Sequence, residues 1–328
     1  MTKRQLSPEQ LSVVQAIRAS LVGVSDTVPA RLLSVRVACS GGADSLALAA
    51  GLVWLDEHQP DPLRRSSALI VDHGLQDGSA EVAAGVAGLV AKLGLTASIA
   101  QVTVADSADG LEAAARQARY QALVSGDVDI LLVGHTMDDQ AETVLLGLAR
   151  GSGTRSLAGM DQQIKIGDVW LLRPLLGLRR SGTEQACADW GLTPWVDPMN
   201  ADPRFTRVRA RALLPRLDQT LGPGIVEALA RTAKLARADA DYLDQLAADQ
   251  LGPSTGDLAV SRLADLPDAI RGRLVRQWLA VGGLTELSYE RTQAVLALVD
   301  DWRGQVGVDL PAGRRVVRLD GSLRLADS

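Results

Sequence analysis

The chain has 328 residues, 47% of them hydrophobic and 22% charged, with a formal net charge of −5. That length predicts about two domains, and the composition excludes disordered and fibrous proteins. The longest apolar run, Leu46 to Leu55, has ten residues, about half of the roughly 20 that a bilayer-spanning helix needs, so no membrane span is expected.

In chain order, the stretch Met1 to Gln10 lacks the apolar core of a secretory signal, and the expected compartment is the cytoplasm. From there to about residue 215, β-rich runs alternate with Ala-rich helical stretches, the pattern of βαβ units in a parallel, Rossmann-like sheet with helices on both faces. Strands are predicted at Leu33 to Ala38, Ala68 to Val71, Ala97 to Val102, Asp129 to Val133 and Val169 to Leu172. Helices are predicted at Asp44 to Glu57, Ser79 to Leu93, Gly110 to Ser125, Asp139 to Arg150 and Ser181 to Gly191. Gly222-Pro223-Gly224 then breaks the chain, and Ile225 to Gln250 predicts one long helix. After a second breaker, Gly252 to Gly256, a small, mainly helical domain is expected, with helices at Leu266 to Leu279 and Tyr289 to Trp302. It closes on β-like runs at Val306 to Leu310 and Arg315 to Leu319. The expected division is therefore a first domain over residues 1–220 and a linker helix with a small domain over 221–328.

Ligands of such sheets bind beyond the carboxyl ends of the strands, and four segments there carry chemistry. The first strand runs into Cys39-Ser40-Gly41-Gly42-Ala43-Asp44-Ser45 and a helix. Adjacent glycines and a helix amino terminus offer bare N–H groups and a positive dipole end to a phosphate, with Asp44 suited to a magnesium ion beside it. The alternative is a tight turn in which Ser40 or Asp44 only caps the helix. Cys39 and the distant Cys187 are the only cysteines, so no disulfide framework and no zinc or iron–sulfur site is expected.

His73 follows the second strand, and His135-Thr-Met-Asp138-Asp139-Gln-Ala-Glu142-Thr143 follows the fourth. At helical spacing Asp138, Asp139 and Glu142 share a face that suits a cation or an ammonium group, although two of them also suit helix capping. Arg116, Arg119 and Tyr120 adjoin on one predicted helix, where the arginines suit either a phosphate or solvent. The lysines number only four, Lys3, Lys92, Lys165 and Lys234, so it is the arginines whose clustering matters. Five of them, Arg204, Arg207, Arg209, Arg211 and Arg216, fall within thirteen residues, a stretch fit for RNA or nucleotide phosphates or for a solvated linker.

Ser40 to Ser45 resembles the PP-loop of the N-type ATP pyrophosphatases, which split ATP into AMP and pyrophosphate to activate a carbonyl oxygen. Together with His135 to Thr143, Ala115 to Tyr120, Arg173-Pro174-Leu175 and Asp197 to Pro215, the chain over residues 33–216 is similar to the tRNA(Ile)-lysidine synthase family. The resemblance implies ATP-dependent ligation of L-lysine to C2 of the wobble cytidine of a CAU-anticodon isoleucine tRNA, through an adenylated cytidine. It implies ATP and Mg²⁺ as cofactors and a homodimer. It implies ATP binding by Ser40, Gly41, Gly42, Ala43, Asp44, Ser45, His73, His135 and Arg116, and Mg²⁺ near Asp44. Asp138, Asp139 and Glu142 are then the candidates for binding and deprotonating the amine, and Arg119, Tyr120, Arg207, Arg209 and Arg211 for meeting tRNA. The family's Arg-Asn-Arg is here Arg207-Val208-Arg209. Three other readings compete: a PP-loop tRNA thiolase, which would lean on cysteine; a GMP- or asparagine-synthetase type, which would need an ammonia source; and a non-catalytic nucleotide- or RNA-binding module.

Overall fold

The computed structural model describes residues 5–25, 33–74, 76, 78–102, 111–151, 153–252, 256–285 and 287–327, with backbone alone for 25 and 111–115. The expected helix start at Gly110 lies outside them. Two compact units divide the chain: residues 1–146 with 159–231, and residues 147–158 with 232–328.

In the first unit, helix α1 (Pro8–Ser25) precedes an alternation of strands and helices: β1 (Leu33–Ala38), α2 (Ala43–His58), β2 (Arg64–Asp72), α3 (Ser79–Leu93), β3 (Thr96–Gln101), α4 (Leu111–Leu123), β4 (Ile130–Leu132) and α5 (Met137–Ala149). A short helix α6 (Thr154–Leu157), which belongs to the second unit, and a hairpin of β5 (Gln163–Ile166) and β6 (Val169–Leu172) come next. Then follow α7 (Arg180–Asp189), α8 (Thr206–Leu221) and α9 (Ile225–Leu251), the last of which runs on into the second unit. The sheet order is β3-β2-β1-β4-β6-β5, parallel except for the edge strand β5. The order reverses between β1 and β4, and a crevice at such a reversal is where ligands of doubly wound sheets bind.

Central strands buried on both faces are apolar throughout, as Ile130, Leu131 and Leu132 are here. One face packs α1, α2, α3 and α7 through Ile17, Leu46, Leu52, Val86 and Ala186. The other packs α4 through Tyr120 and Leu123 against Leu69, Leu131 and Leu171. Beyond the crevice, Ala141, Leu214 and Val226 join α5, α8 and the start of α9.

Several elements were not expected from the sequence. Helix α1 buries Val13 and Ile17 against Gly51, where an added Cβ would stand 2.8 Å from each. The arginine-rich stretch forms α8 despite Pro215 in its interior, and β5 pairs with β6 across a turn at Gly167.

The second unit adds β7 (Leu258–Ala259), α10 (Val260–Ala264), α11 (Asp268–Val281), α12 (Tyr289–Asp300), β8 (Val308–Leu310), β9 (Arg314–Leu319) and β10 (Ser322–Asp327). Beside its helices it holds a four-stranded antiparallel sheet ordered β7-β10-β9-β8. Leu263, Leu274, Val295, Val316 and Leu323 fill its core. Arg273 is buried there and bonds Asp244 and Thr154, the latter at 2.7 Å, which ties α6 into this unit. No helix among the described residues is long and apolar enough to cross a membrane.

Candidate active site at the carboxyl edge of the sheet

The loop after β1 is built so that it must contain glycine. Gly41 has φ +85°, and an added Cβ would lie 2.4 Å from Val86 Cγ2. The Gly41 carbonyl accepts the Trp195 N–H at 2.9 Å, which anchors the turn. Gly42 is the N-cap of α2 with no side chain to satisfy the helix, its carbonyl accepting from Leu46 N–H at 3.0 Å and Ser45 Oγ at 2.9 Å. Ser40 Oγ donates to Ser45 Oγ at 3.3 Å, and Ala43 opens the helix. The first N–H groups of a helix have no intrahelical acceptor, so the loop presents donors and a positive dipole end at the crevice. Gly134, at the end of β4, sits so close behind it that a Cβ there would meet the Asp44 carbonyl carbon at 3.1 Å. Gly41→Ala is accordingly expected to lower the melting temperature and raise the KM for ATP. A left-handed non-glycine residue alone costs about 1–2 kcal/mol, and Val86 must also move.

The acids lie beside this loop. Asp139 is the third residue of α5 and reaches back to the residue before the helix: its Oδ2 accepts the N–H and the hydroxyl of Thr136, both at 2.8 Å. Its Oδ1 meets Arg180 Nη2 at 2.7 Å. Helix capping and site chemistry are thus two ends of one carboxylate. Burial by itself would raise the Asp139 pKa, but Arg180 and the Thr136 donors hold it below the ordinary carboxylate value. Asp138 turns to α7, accepting the Arg180 N–H at 2.8 Å and Arg179 Nε and Nη2 at 3.2 Å each. Glu142 is completely buried; its Oε1 receives Arg211 Nε at 2.8 Å and Arg180 Nη1 at 3.4 Å, while Oε2 has no partner among the described residues. Asp44 accepts the Thr183 hydroxyl and lies 3.4 Å from Arg180 Nε. Burial outweighs both and lifts its pKa to about 6.

Arg179, Arg180 and Thr183 were not singled out from the sequence. They open α7, just after β6, and the rule that led to the other strand ends applies equally to this one.

A cationic rim completes the site. His135 Nδ1 accepts from Arg173 Nε at 3.2 Å, which leaves the ring proton on Nε2. Burial, helped by the guanidinium groups of Arg173, Arg207 and Arg116, outweighs Asp139 and keeps this ring neutral. Arg173 is itself buried and donates to the Asp161 carbonyl at 2.6 Å. Arg116 and Arg119 lie 5.0 and 5.5 Å from the centre of the Tyr120 ring. Burial and then the neighbouring Arg119 lower the pKa of His73, whose Nδ1 is buried and without a partner among the described residues. Three arginines of α8 differ in environment: Arg207 lies near His135 and Arg119, Arg211 pairs with Glu142, and Arg209 folds back onto the carbonyls of Pro203 and Arg204 at 2.7 and 2.9 Å.

Among the described residues, no group of three or more His, Cys, Asp or Glu side chains could by itself hold a metal ion. Cys39 and Cys187 are buried free thiols, and burial pushes both pKa values up, that of Cys187 to about 11. Protonated thiols are poor nucleophiles and poor metal ligands.

A family described as a PP-loop domain matches residues 19–217, and the TilS substrate binding domain matches residues 258–324. The fold is similar to that of a solved U34-tRNA thiolase, NcsA from Methanococcus maripaludis with its 4Fe-4S cluster, at a TM-score of 0.55, 18% identity, and coverage of 70% of this chain and 80% of that one. The tRNA(Ile)-lysidine synthase of Salinispora tropica is 47% identical over 98% of both chains. That of Rhodococcus erythropolis is 48% identical over 97% of this chain and 94% of its own, and that of Mycobacterium tuberculosis 47% identical over 88% and 90%. With the loop, the acid cluster and the cationic rim in place on a PP-loop fold, the chain belongs to the tRNA(Ile)-lysidine synthase family.

Proposed function

We propose that the chain joins L-lysine to C2 of the wobble cytidine of a CAU-anticodon isoleucine tRNA, converting ATP to AMP and pyrophosphate. The observation that carries the proposal is one crevice in which the glycine loop, the neutral His135 with its surrounding arginines, and the buried free oxygen of Glu142 meet. The C2 oxygen of cytosine is a poor leaving group; adenylation makes it part of a phosphate ester, and a free amine then displaces AMP. The N–H groups of Ser40 to Ser45 hold the pyrophosphate portion of ATP, and His135 Nε2–H donates to the nucleotide. Arg116 and Arg173 balance phosphate charge, with His73 at their edge. Asp44 fits a magnesium ion, because Mg²⁺ is usually held by one or two carboxylates together with substrate phosphates, and a carboxylate lifted to about 6 lacks a full counter-charge. Bound there, Mg²⁺ would offset charge developing on the departing pyrophosphate.

The lysine ammonium, with an ordinary pKa of about 10.4, must lose a proton before it attacks. Asp139 already receives three donors and Asp138 is taken up by the start of α7. Glu142 Oε2 is left as the acceptor for the amine, and the nearby Arg211 charge favours the neutral form of that amine.

Arg119, Tyr120 and Arg207 meet the anticodon arm, Arg209 steadies the start of α8 and Arg211 sets Glu142. Arg207→Gln is expected to weaken tRNA binding and to lower its salt slope by about one; an unchanged slope would remove Arg207 from the interface. Residues 258–324 hold the tRNA elsewhere. The protein works in the cytoplasm as a homodimer, for which exposed Leu235 and Tyr242, seven residues apart on α9, offer apolar surface. The test is ATP–pyrophosphate exchange. It should depend on the isoleucine tRNA; exchange without tRNA, or none with it, would contradict the proposal.

A further inference from the structure

Among the described residues, Arg180 bridges the two halves of the site. Its Nε lies 3.4 Å from Asp44 Oδ2 at the phosphate loop, its Nη2 2.7 Å from Asp139 Oδ1, and its Nη1 3.4 Å from Glu142 Oε1. A planar guanidinium with donors on three nitrogens can span three carboxylates in this way, and a lysine ammonium cannot. Among the described residues, Asp44, Asp139 and Glu142 pair with two guanidinium groups, those of Arg180 and Arg211, and Glu142 keeps a completely buried oxygen without a partner. Glu142 Oε2 therefore leaves the cluster room for one further cation.

We infer that Arg180 is a positioning residue that links the two substrates: in the free enzyme its guanidinium stands in for the lysine ammonium, and the phosphates of ATP draw it away. The contact most easily given up is the long one to Asp44, directly beside the loop that holds the phosphates. An anionic triphosphate there offers the guanidinium paired acceptors in place of carboxylates. As the group turns toward them, Asp139 and Glu142 lose their internal cation and gain affinity for an external one. Nucleotide thus opens the amine site, and lysine by reciprocity strengthens nucleotide binding.

This inference rests on the proposed lysine-transfer reaction, and the experiment separates the two. Initial rates of lysidine formation by the full-length enzyme are measured against lysine at several fixed ATP concentrations, with tRNA saturating. The KM for lysine in the wild type should fall about tenfold between low and saturating ATP, inside the usual range for coupled sites. In Arg180→Gln the KM should sit near the wild-type saturating value at every ATP concentration, whatever happens to kcat. Arg180→Lys, whose single ammonium cannot span the acids, should also lose the dependence, and it serves should the glutamine variant fail to fold by circular dichroism. A wild-type KM for lysine that ignores ATP, or a dependence retained in a folded variant, overturns the inference and leaves the reaction standing. Absence of lysidine from the wild type overturns the reaction itself.

Discussion

Asp44→Asn should yield a folded protein that melts higher than the wild type at neutral pH and yet is almost inactive. Asp44 is a buried carboxylate whose pKa rises from 3.8 to about 6, above all through burial. A group whose pKa is raised by folding adds stability only while protonated. Its contribution is complete below the unfolded value near 4 and is lost as the pH rises through about 6. Asparagine mimics the protonated form at every pH. The two proteins should then melt together at about pH 4 and separate at about pH 7.5, with the variant above, when compared without nucleotide or magnesium. Activity runs the other way. Loss of one charged group that stabilises a transition state typically lowers rate by about 100- to 1,000-fold, so tRNA-dependent AMP release should fall that far. The wild-type KM for ATP should also improve as the pH rises through about 6, and the variant's should not. A variant less stable than the wild type at neutral pH would mean that the Thr183 and Arg180 contacts outweigh burial.

Glu142→Gln should separate the two halves of the reaction. Glutamine keeps the shape and an acceptor oxygen for Arg211, so the buried site survives at a cost of about 1–3 kcal/mol. Glu142→Ala, which removes the buried acceptor of both Arg180 and Arg211, should cost more than the glutamine variant. On the proposed mechanism Glu142 acts only in lysine transfer, so AMP-linked tRNA should accumulate in the glutamine variant. Lysine transfer should drop by about 100- to 10,000-fold, the usual contribution of a positioned base. Chromatography of nuclease digests reads both species in one sample. Equal loss of adenylation and transfer would place Glu142 in the architecture of the site and not in amine handling.

Much of this site was legible because its parts follow strand ends. Ser40 to Ser45 and His135 to Glu142 stand directly after β1 and β4, where residue type and position speak together. The helix Ser79–Leu93 and the strands Leu33–Ala38 and Val169–Leu172 form with the predicted bounds, because Gly94 and the apolar runs mark their limits. Arg180 was not legible. It lies 136 residues from Asp44 but 41 from Asp139 and 38 from Glu142, and only the sheet order brings the three together. The arginines of α8 were legible as a cluster but not as individuals, since two residues of helical rotation separate Arg211, which points inward to Glu142, from Arg209, which bonds the carbonyls of Pro203 and Arg204. Pro215 obscured that helix and the β-branched residues of α1 obscured another, as tertiary packing outweighed local propensity in both. The hairpin of β9 and β10 turns at Asp320-Gly321, both with positive φ, a dipeptide that favours such turns.

The central claim is tested most directly by incubating the purified protein with ATP, Mg²⁺, radiolabelled L-lysine and an isoleucine tRNA transcript bearing the CAU anticodon, then counting label in acid-precipitable RNA. The account predicts incorporation that is lost in Asp44→Asn and absent with a methionine tRNA of the same anticodon. AMP release with the isoleucine tRNA but no label in RNA would contradict it, leaving an adenylating PP-loop enzyme whose nucleophile is not lysine.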